Sequence, residues 1–204
     1  GVRSLEGRDY LCRGDQPLIE AEQLRIPGLH NRANALAALA MGSALGFEPA
    51  VMCQVLRVFR GLPHRTEFVA KIDGVTWYND SKGTNVGASI AALQGISSSD
   101  GSRTVLIAGG DCKGADFAPL APVLAACARA VVLIGRDATA IAAVVPESVE
   151  QAVARDMDEA VAKAASLARP GDRVLLSPAC ASFDMFASYM DRGDRFMQAV
   201  RRRM

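Results

Sequence analysis

From residue 75 onward the chain repeats one pattern: a short, almost uninterrupted apolar run, then an alanine-rich stretch with helical spacing. The apolar runs are "VTWY", "TVLIA", "AVVLI" and "RVLLS". Between and after them lie "VGASIAALQG", "FAPLAPVLAACA", "DATAIAAVV", "MDEAVAKAASLA" and "SFDMFASYMDRGDRFMQAVRRR". A strand with no polar alternation is buried on both faces, so strands of this kind separated by helices predict a mostly parallel sheet covered on both sides. Right-handed crossovers then give a Rossmann-like open α/β sheet. Ahead of it, "TEFVAKI" and "VTWYN" flank Asp73-Gly74. That dipeptide is a strong hairpin signal and adds an antiparallel strand.

The first sixty residues read differently. "DYLC" and "QPLIEAEQL" are weakly strand-like. A helix is expected from about Asn31 or Arg32 to Gly46, and a second in "EPAVMCQVLRVF". "RGLPHR" breaks the pattern with Gly and Pro, which places a domain boundary at residue 60 and leaves 61–204 as the second domain.

Composition narrows the class. Half of the 204 residues are hydrophobic and 22% charged, with a formal net charge of +1, so bulk electrostatics predict neither a nucleic-acid nor a membrane partner. The five cysteines are odd in number and form no C-x-x-C pair, which points to a reducing, cytoplasmic setting without a disulfide framework or zinc site. No apolar run is long enough to span a bilayer. No metal-ligand cluster is read from the sequence. A monomer is expected.

In an open α/β sheet, ligands bind beyond the carboxyl ends of the strands. The segments there are Asn79-Asp80-Ser81-Lys82-Gly83-Thr84-Asn85, Gly109-Gly110-Asp111-Cys112-Lys113-Gly114, Gly135-Arg136-Asp137, and Pro178 through Asp184. Small residues let backbone N–H groups approach a ligand, and helix N-termini favour anions. Lys82 and Lys113 would neutralise a carboxylate or phosphate, and Thr84 and Ser182 would orient it. Blander roles compete: Ser81 and Ser182 are both good helix caps, and Asp111 and Asp137 suit turns. His30 and His64 each stand alone at an element boundary, His64-Arg65 being the better functional candidate. No Walker loop, strand-borne G-x-G-x-x-G or G-x-S-x-G occurs.

"GLHNRANALAA", "GLPHRTEFV", "WYNDSKGTNVGAS", "IAGGDCKGADF" and "LLSPACASFDMF" follow one another in an order that resembles the Mur ligases, from about residue 20 onward. The H-N-x-x-N run and "LPHR" are shared with the related folylpolyglutamate synthetases, whereas "NDSKGTN" and "SPACASFD" resemble the branch that adds D-glutamate. The D-N-P-R-like motif expected of the branch adding diaminopimelate or lysine is absent. The resemblance implies that 1–60 end a central ATP-binding domain, as a helical remnant, and that 61–204 form the C-terminal Rossmann-like amino-acid-binding domain. It implies an ATP-dependent amide ligase acting on UDP-N-acetylmuramoyl-L-alanine and D-glutamate through an acyl phosphate, in peptidoglycan precursor synthesis. The family's phosphate loop and Mg2+ ligands are expected ahead of residue 1, which would leave this chain inactive alone. Residue by residue, Asn31, Asn34, Arg65 and Asp80 match ATP contacts. His64, Arg65 and Lys82 lie nearest the chemistry. Lys82, Thr84, Lys113, Ser182, Phe183 (through its backbone) and Tyr189 match the D-glutamate pocket. Other amide ligases of the superfamily, and a non-catalytic small-anion binding domain, remain as alternatives.

Overall fold

The computed structural model describes residues 1–26, 28–97 and 101–204. The chain divides into two compact units, Gly1–Gly61 and Leu62–Met204.

The first unit is an antiparallel sheet of β1 (Val2–Leu5), β2 (Arg8–Arg13) and β3 (Gln16–Glu20), followed by helices α1 (Leu29–Ala44) and α2 (Pro49–Val58). The two helices match the sequence reading, but the unit is more than a helical remnant. Its sheet shows in the sequence only in fragments, because every residue of β1 is exposed and so carries no apolar pattern. Leu11, Ile19, Leu24, Leu39 and Cys53 form its core.

The second unit holds a six-stranded sheet in the order β4-β5-β9-β6-β7-β8. Its strands are β4 (Glu67–Ile72), β5 (Val75–Asn79), β6 (Thr104–Gly109), β7 (Ala128–Ile134), β8 (Glu150–Val153) and β9 (Arg173–Leu176). The β4–β5 pair is antiparallel, and the other pairings are parallel. Asp73 and Gly74 both take positive φ, 50° and 79°, as a tight turn between right-twisted strands demands.

Alternate strand residues face opposite layers. Trp77, Val105, Ile107, Val132, Val174 and Leu176 pack with α6 (Met157–Leu167) and α7 (Tyr189–Arg201). Leu106, Ala108, Val131, Leu133 and Leu175 pack with α3 (Val86–Ile96), α4 (Ala121–Cys127) and α5 (Ala138–Ala142). This is the doubly covered sheet that the uninterrupted apolar runs call for.

Two local expectations are corrected. The last helix begins at Tyr189 rather than at residue 182, because Ser188 is extended and its side chain accepts the Asp191 N–H. Ser182 instead opens a turn, its carbonyl accepting the N–H groups of Met185 and Phe186. Likewise Asn85, not Ser81, caps α3 by accepting the Ala88 N–H. β8 escaped the sequence reading because it is an edge strand whose residues are mostly exposed.

The strand order creates the crevice. The chain steps from β6 to β7 to β8, then α6 crosses the opposite face and returns it to β9, between β5 and β6. Loops leaving β9 and its neighbours therefore diverge to opposite faces, which is where open α/β sheets bind ligands. Register brings Asn79 and Ile107 level with Leu176, and Gly109 level with Ile134.

Candidate functional site

Four loops meet beyond these strand ends, tied by backbone bonds. The Ala179 N–H donates to the Gly83 carbonyl (2.9 Å), joining the segments after β9 and β5. Asp111 and Ala181 exchange two N–H···O bonds of 3.0 and 2.9 Å, joining the segments after β6 and β9. The Asp137 N–H reaches the Gly110 carbonyl at 3.2 Å, and the Arg136 N–H reaches Asp184 Oδ2 at 2.8 Å. The segments bearing Lys82 and Thr84, Lys113, and Ser182 and Phe183 are thus immediate neighbours.

His64, Lys82 and Tyr189 come together directly. The Lys82 N–H donates to the His64 carbonyl at 3.0 Å, and its ammonium lies 4.5 Å from the Tyr189 ring centroid. A cation over an aromatic face is held by the ring's negative face. The Tyr189 ring meets the His64 ring edge-on, with centroids 6.0 Å apart. His64 is buried at a φ of 60°, with Nδ1 3.0 Å from the Asn79 amide and Nε2 3.9 Å from Asp194 Oδ1. Both ring nitrogens face protein groups, and the imidazole meets the Tyr189 ring over which the Lys82 ammonium lies. Gly193 makes this possible: a Cβ there would stand 2.3 Å from His64 Nδ1.

Asp80 lies inward. Its Oδ1 accepts the Thr66 N–H at 3.0 Å, and its Oδ2 accepts the Ser177 hydroxyl at 2.7 Å. Gly83 leaves the room for this, since a Cβ would lie 2.5 Å from Oδ2. A nucleotide hydroxyl would have to use the carboxylate's remaining lone pairs. Burial pushes the Asp80 pKa up from 3.8 to about 6, against the lowering effect of the Ser177 and Thr66 hydrogen bonds and the Arg65 charge. The folded state then binds this proton more tightly than the unfolded chain, so stability falls as pH rises from 3.8 to about 6. Asp80→Asn should remove that slope. In urea unfolding at both ends of the window, wild type should lose on the order of 2–3 kcal/mol relative to the variant. Parallel profiles would exclude Asp80 as the source.

Of the remaining predicted residues, Ser182 is buried, Thr84 half-buried, and Arg65, Lys113 and Phe183 exposed. Phe183 is 70% exposed, so its ring is not part of the core. Asp111 and Asp137 serve their turns: Asp111 pairs with Arg136 at 2.9 Å, and Asp137 accepts the Cys112 N–H at 2.8 Å. Asn31 and Asn34 belong to the first unit, one turn apart at the start of α1, where the Asn34 amide donates to Asn31 Oδ1 at 3.3 Å. Among the described residues, no three His, Cys, Asp or Glu side chains gather as metal ligands, and all five cysteines are free.

Sequence reasoning missed Thr66, Ser177 and Arg192. The first two are ordinary polar residues near strand ends. Arg192 did leave a signal, since it shares the buried stripe of α7 with Phe196, Ala199 and Val200. A cation on an apolar stripe needs buried partners.

The family of the chain is decided by its residues 64–180, which match the Mur ligase, glutamate ligase domain. The chain belongs to the Mur ligase family. It is 53% identical over 201 residues to the UDP-N-acetylmuramoylalanine–D-glutamate ligase of Nitrosococcus oceani, covering 98% of this chain and 44% of that protein. To the ligase of the same name from Nitrosospira multiformis it is 56% identical over 200 residues, covering 96% and 41%. The chain therefore spans less than half the length of these curated relatives. In fold it resembles MurC of Thermotoga maritima, with a TM-score of 0.65, 21% identity, and coverage of 89% of this chain and 40% of that one. It also resembles MurF of Thermotoga maritima in complex with ADP, with a TM-score of 0.62, 15% identity, and coverage of 100% and 46%.

Proposed function

We propose that this Mur ligase chain is the C-terminal part of an enzyme that joins D-glutamate to UDP-N-acetylmuramoyl-L-alanine at the expense of ATP. The observation that carries this reading is the identity of 53% and above, over nearly all of the chain, to relatives bearing that enzyme's name. The crevice chemistry agrees with it, since a dicarboxylate needs two cations and several donors.

In this reading ATP converts the substrate carboxylate to an acyl phosphate, and the D-glutamate amine attacks it with loss of phosphate. Lys82 and Lys113 neutralise the carboxylates of the incoming amino acid, while Thr84, Ser182 and the Phe183 backbone orient it and Tyr189 borders the pocket. His64 holds Lys82 in place. Arg65, with its exposed guanidinium, and Asp80 are assigned to the nucleotide, and so are Asn31 and Asn34. The magnesium ligands are assigned to the part of the enzyme outside this chain. The contribution of these residues is position and charge stabilisation. We further read the enzyme as a cytoplasmic monomer. Among the described residues, no helix is long and apolar enough to cross a membrane.

The test is a calorimetric titration of D-glutamate, L-glutamate and neutral amino acids into the complete protein with ATP analogue and nucleotide sugar present. Saturable binding of D-glutamate in preference to its enantiomer is expected. Equal binding of both, or preference for another amino acid, would overturn the substrate assignment.

A further inference from the structure

We propose that Arg192 is a positioning residue of the amino-acid site, a buried guanidinium that fixes the spacing between the segment carrying Lys82 and Thr84 and the segment carrying Ser182. This rests on the reading of the crevice as the D-glutamate pocket.

Arg192 is fully buried on α7. Its Nη2 donates to the Ser81 carbonyl at 2.9 Å, its Nε to Ser81 Oγ at 3.0 Å, and its Nη1 to the Cys180 carbonyl at 3.1 Å. The Ser81 hydroxyl in turn donates to the Tyr189 carbonyl at 2.7 Å. One side chain thus ties together three segments that carry site residues, without itself reaching the crevice surface.

The peptide planes it grips are held at both ends. In a trans peptide the carbonyl and the following N–H point in opposite directions. The Ser81 carbonyl is bound by Arg192 while the next N–H, that of Lys82, is bound by the His64 carbonyl. The Cys180 carbonyl is bound by Arg192 while the next N–H, that of Ala181, is bound by the Asp111 carbonyl. Both planes are therefore fixed in rotation, one residue before Lys82 and two before Ser182. A crevice that must present a cation and a hydroxyl at a set separation gains its geometry from such planes.

Packing alone does not explain an arginine here. Burying a guanidinium costs free energy that an aliphatic side chain of similar volume avoids. Burial pulls the Arg192 pKa down to about 10, so the group stays charged at neutral pH. The planar fork is what serves: it directs three donors at once in fixed directions, which an ammonium on a flexible stem does not.

The test uses the complete protein with Arg192→Lys and Arg192→Met. The KM for D-glutamate should rise about tenfold or more in both, as misplacing one charge-assisted bond from the site to the ligand predicts. Amide hydrogen exchange should speed up in peptides covering 80–84 and 178–183 and stay unchanged in β6 and β7. The lysine variant keeps charge and length, so it serves if the methionine variant does not fold. Unchanged exchange in the folded lysine variant overturns the clamp, and faster exchange with an unchanged KM reduces it to a structural role and overturns the proposal. If the wild-type protein shows no D-glutamate-dependent turnover, the functional reading fails separately, while exchange still decides whether the clamp exists.

Discussion

Gly110→Ala should lower the thermal midpoint of the second unit by roughly 6–12 °C, the shift expected for about 3 kcal/mol in a domain of this size. Gly110 sits at a φ of 135°, a backbone region closed to side chains. A Cβ at this position would lie 2.2 Å from the Ala181 carbonyl oxygen, which is backbone and has nowhere to move without breaking the bridge to Asp111. Strain at such a φ and overpacking each cost roughly 1–3 kcal/mol. The same substitution at Gly87, in α3, is the control. Its Cβ would meet only Asn85 Oδ1 at 3.5 Å, an ordinary contact, and alanine there should stabilise slightly. The melts are followed by circular dichroism on the 204-residue chain. A Gly110→Ala midpoint within about 2 °C of wild type would mean that the two loops are not locked together.

Lys113→Ala in the complete enzyme should raise the KM for D-glutamate tenfold or more, since a hydrogen bond to a charged group contributes roughly 1.5–3 kcal/mol. Lys113 is exposed and takes a positive φ of 50°, with its N–H donated to Asp111 Oδ1 at 3.3 Å. The turn is thus set by backbone and Asp111, leaving the ammonium available to a ligand. Because that ammonium carries no core contact, the variant's stability should stay within about 0.5 kcal/mol of wild type. Initial-rate measurements against D-glutamate and ATP separate the two effects. A D-glutamate KM equal to wild type would remove Lys113 from the pocket, and a parallel rise in both KM values would point to a disturbed fold.

Legibility in the sequence followed burial. β6, β7 and β9 announced themselves because strands buried on both faces leave apolar runs such as "TVLIA". β1 and β8 did not, because exposed strands retain no apolar period. The Asp73-Gly74 hairpin was legible because both residues need positive φ, which few side chains tolerate. Ser81 and Ser182 suited capping on chemistry alone, as any serine near a helix start does, but neither caps a helix. The choice of Asn85 and Ser188 depends on where the chain turns extended, and tertiary contacts set that.

The sequence by itself determined the doubly covered α/β sheet and the loops that leave its strand carboxyl ends, with Lys82, Thr84, Lys113 and Ser182 lying in them. Those follow from local pattern and from the rule that strand carboxyl ends converge. Only the tertiary structure decided that Asp80 is turned inward against Thr66 and Ser177, that His64 supports Lys82, and that Arg192 grips Ser81 and Cys180. These partners are as far as 111 residues apart in the chain. The reason is physical: a buried polar group must find its partner wherever the fold brings one, and sequence neighbours carry no record of that meeting.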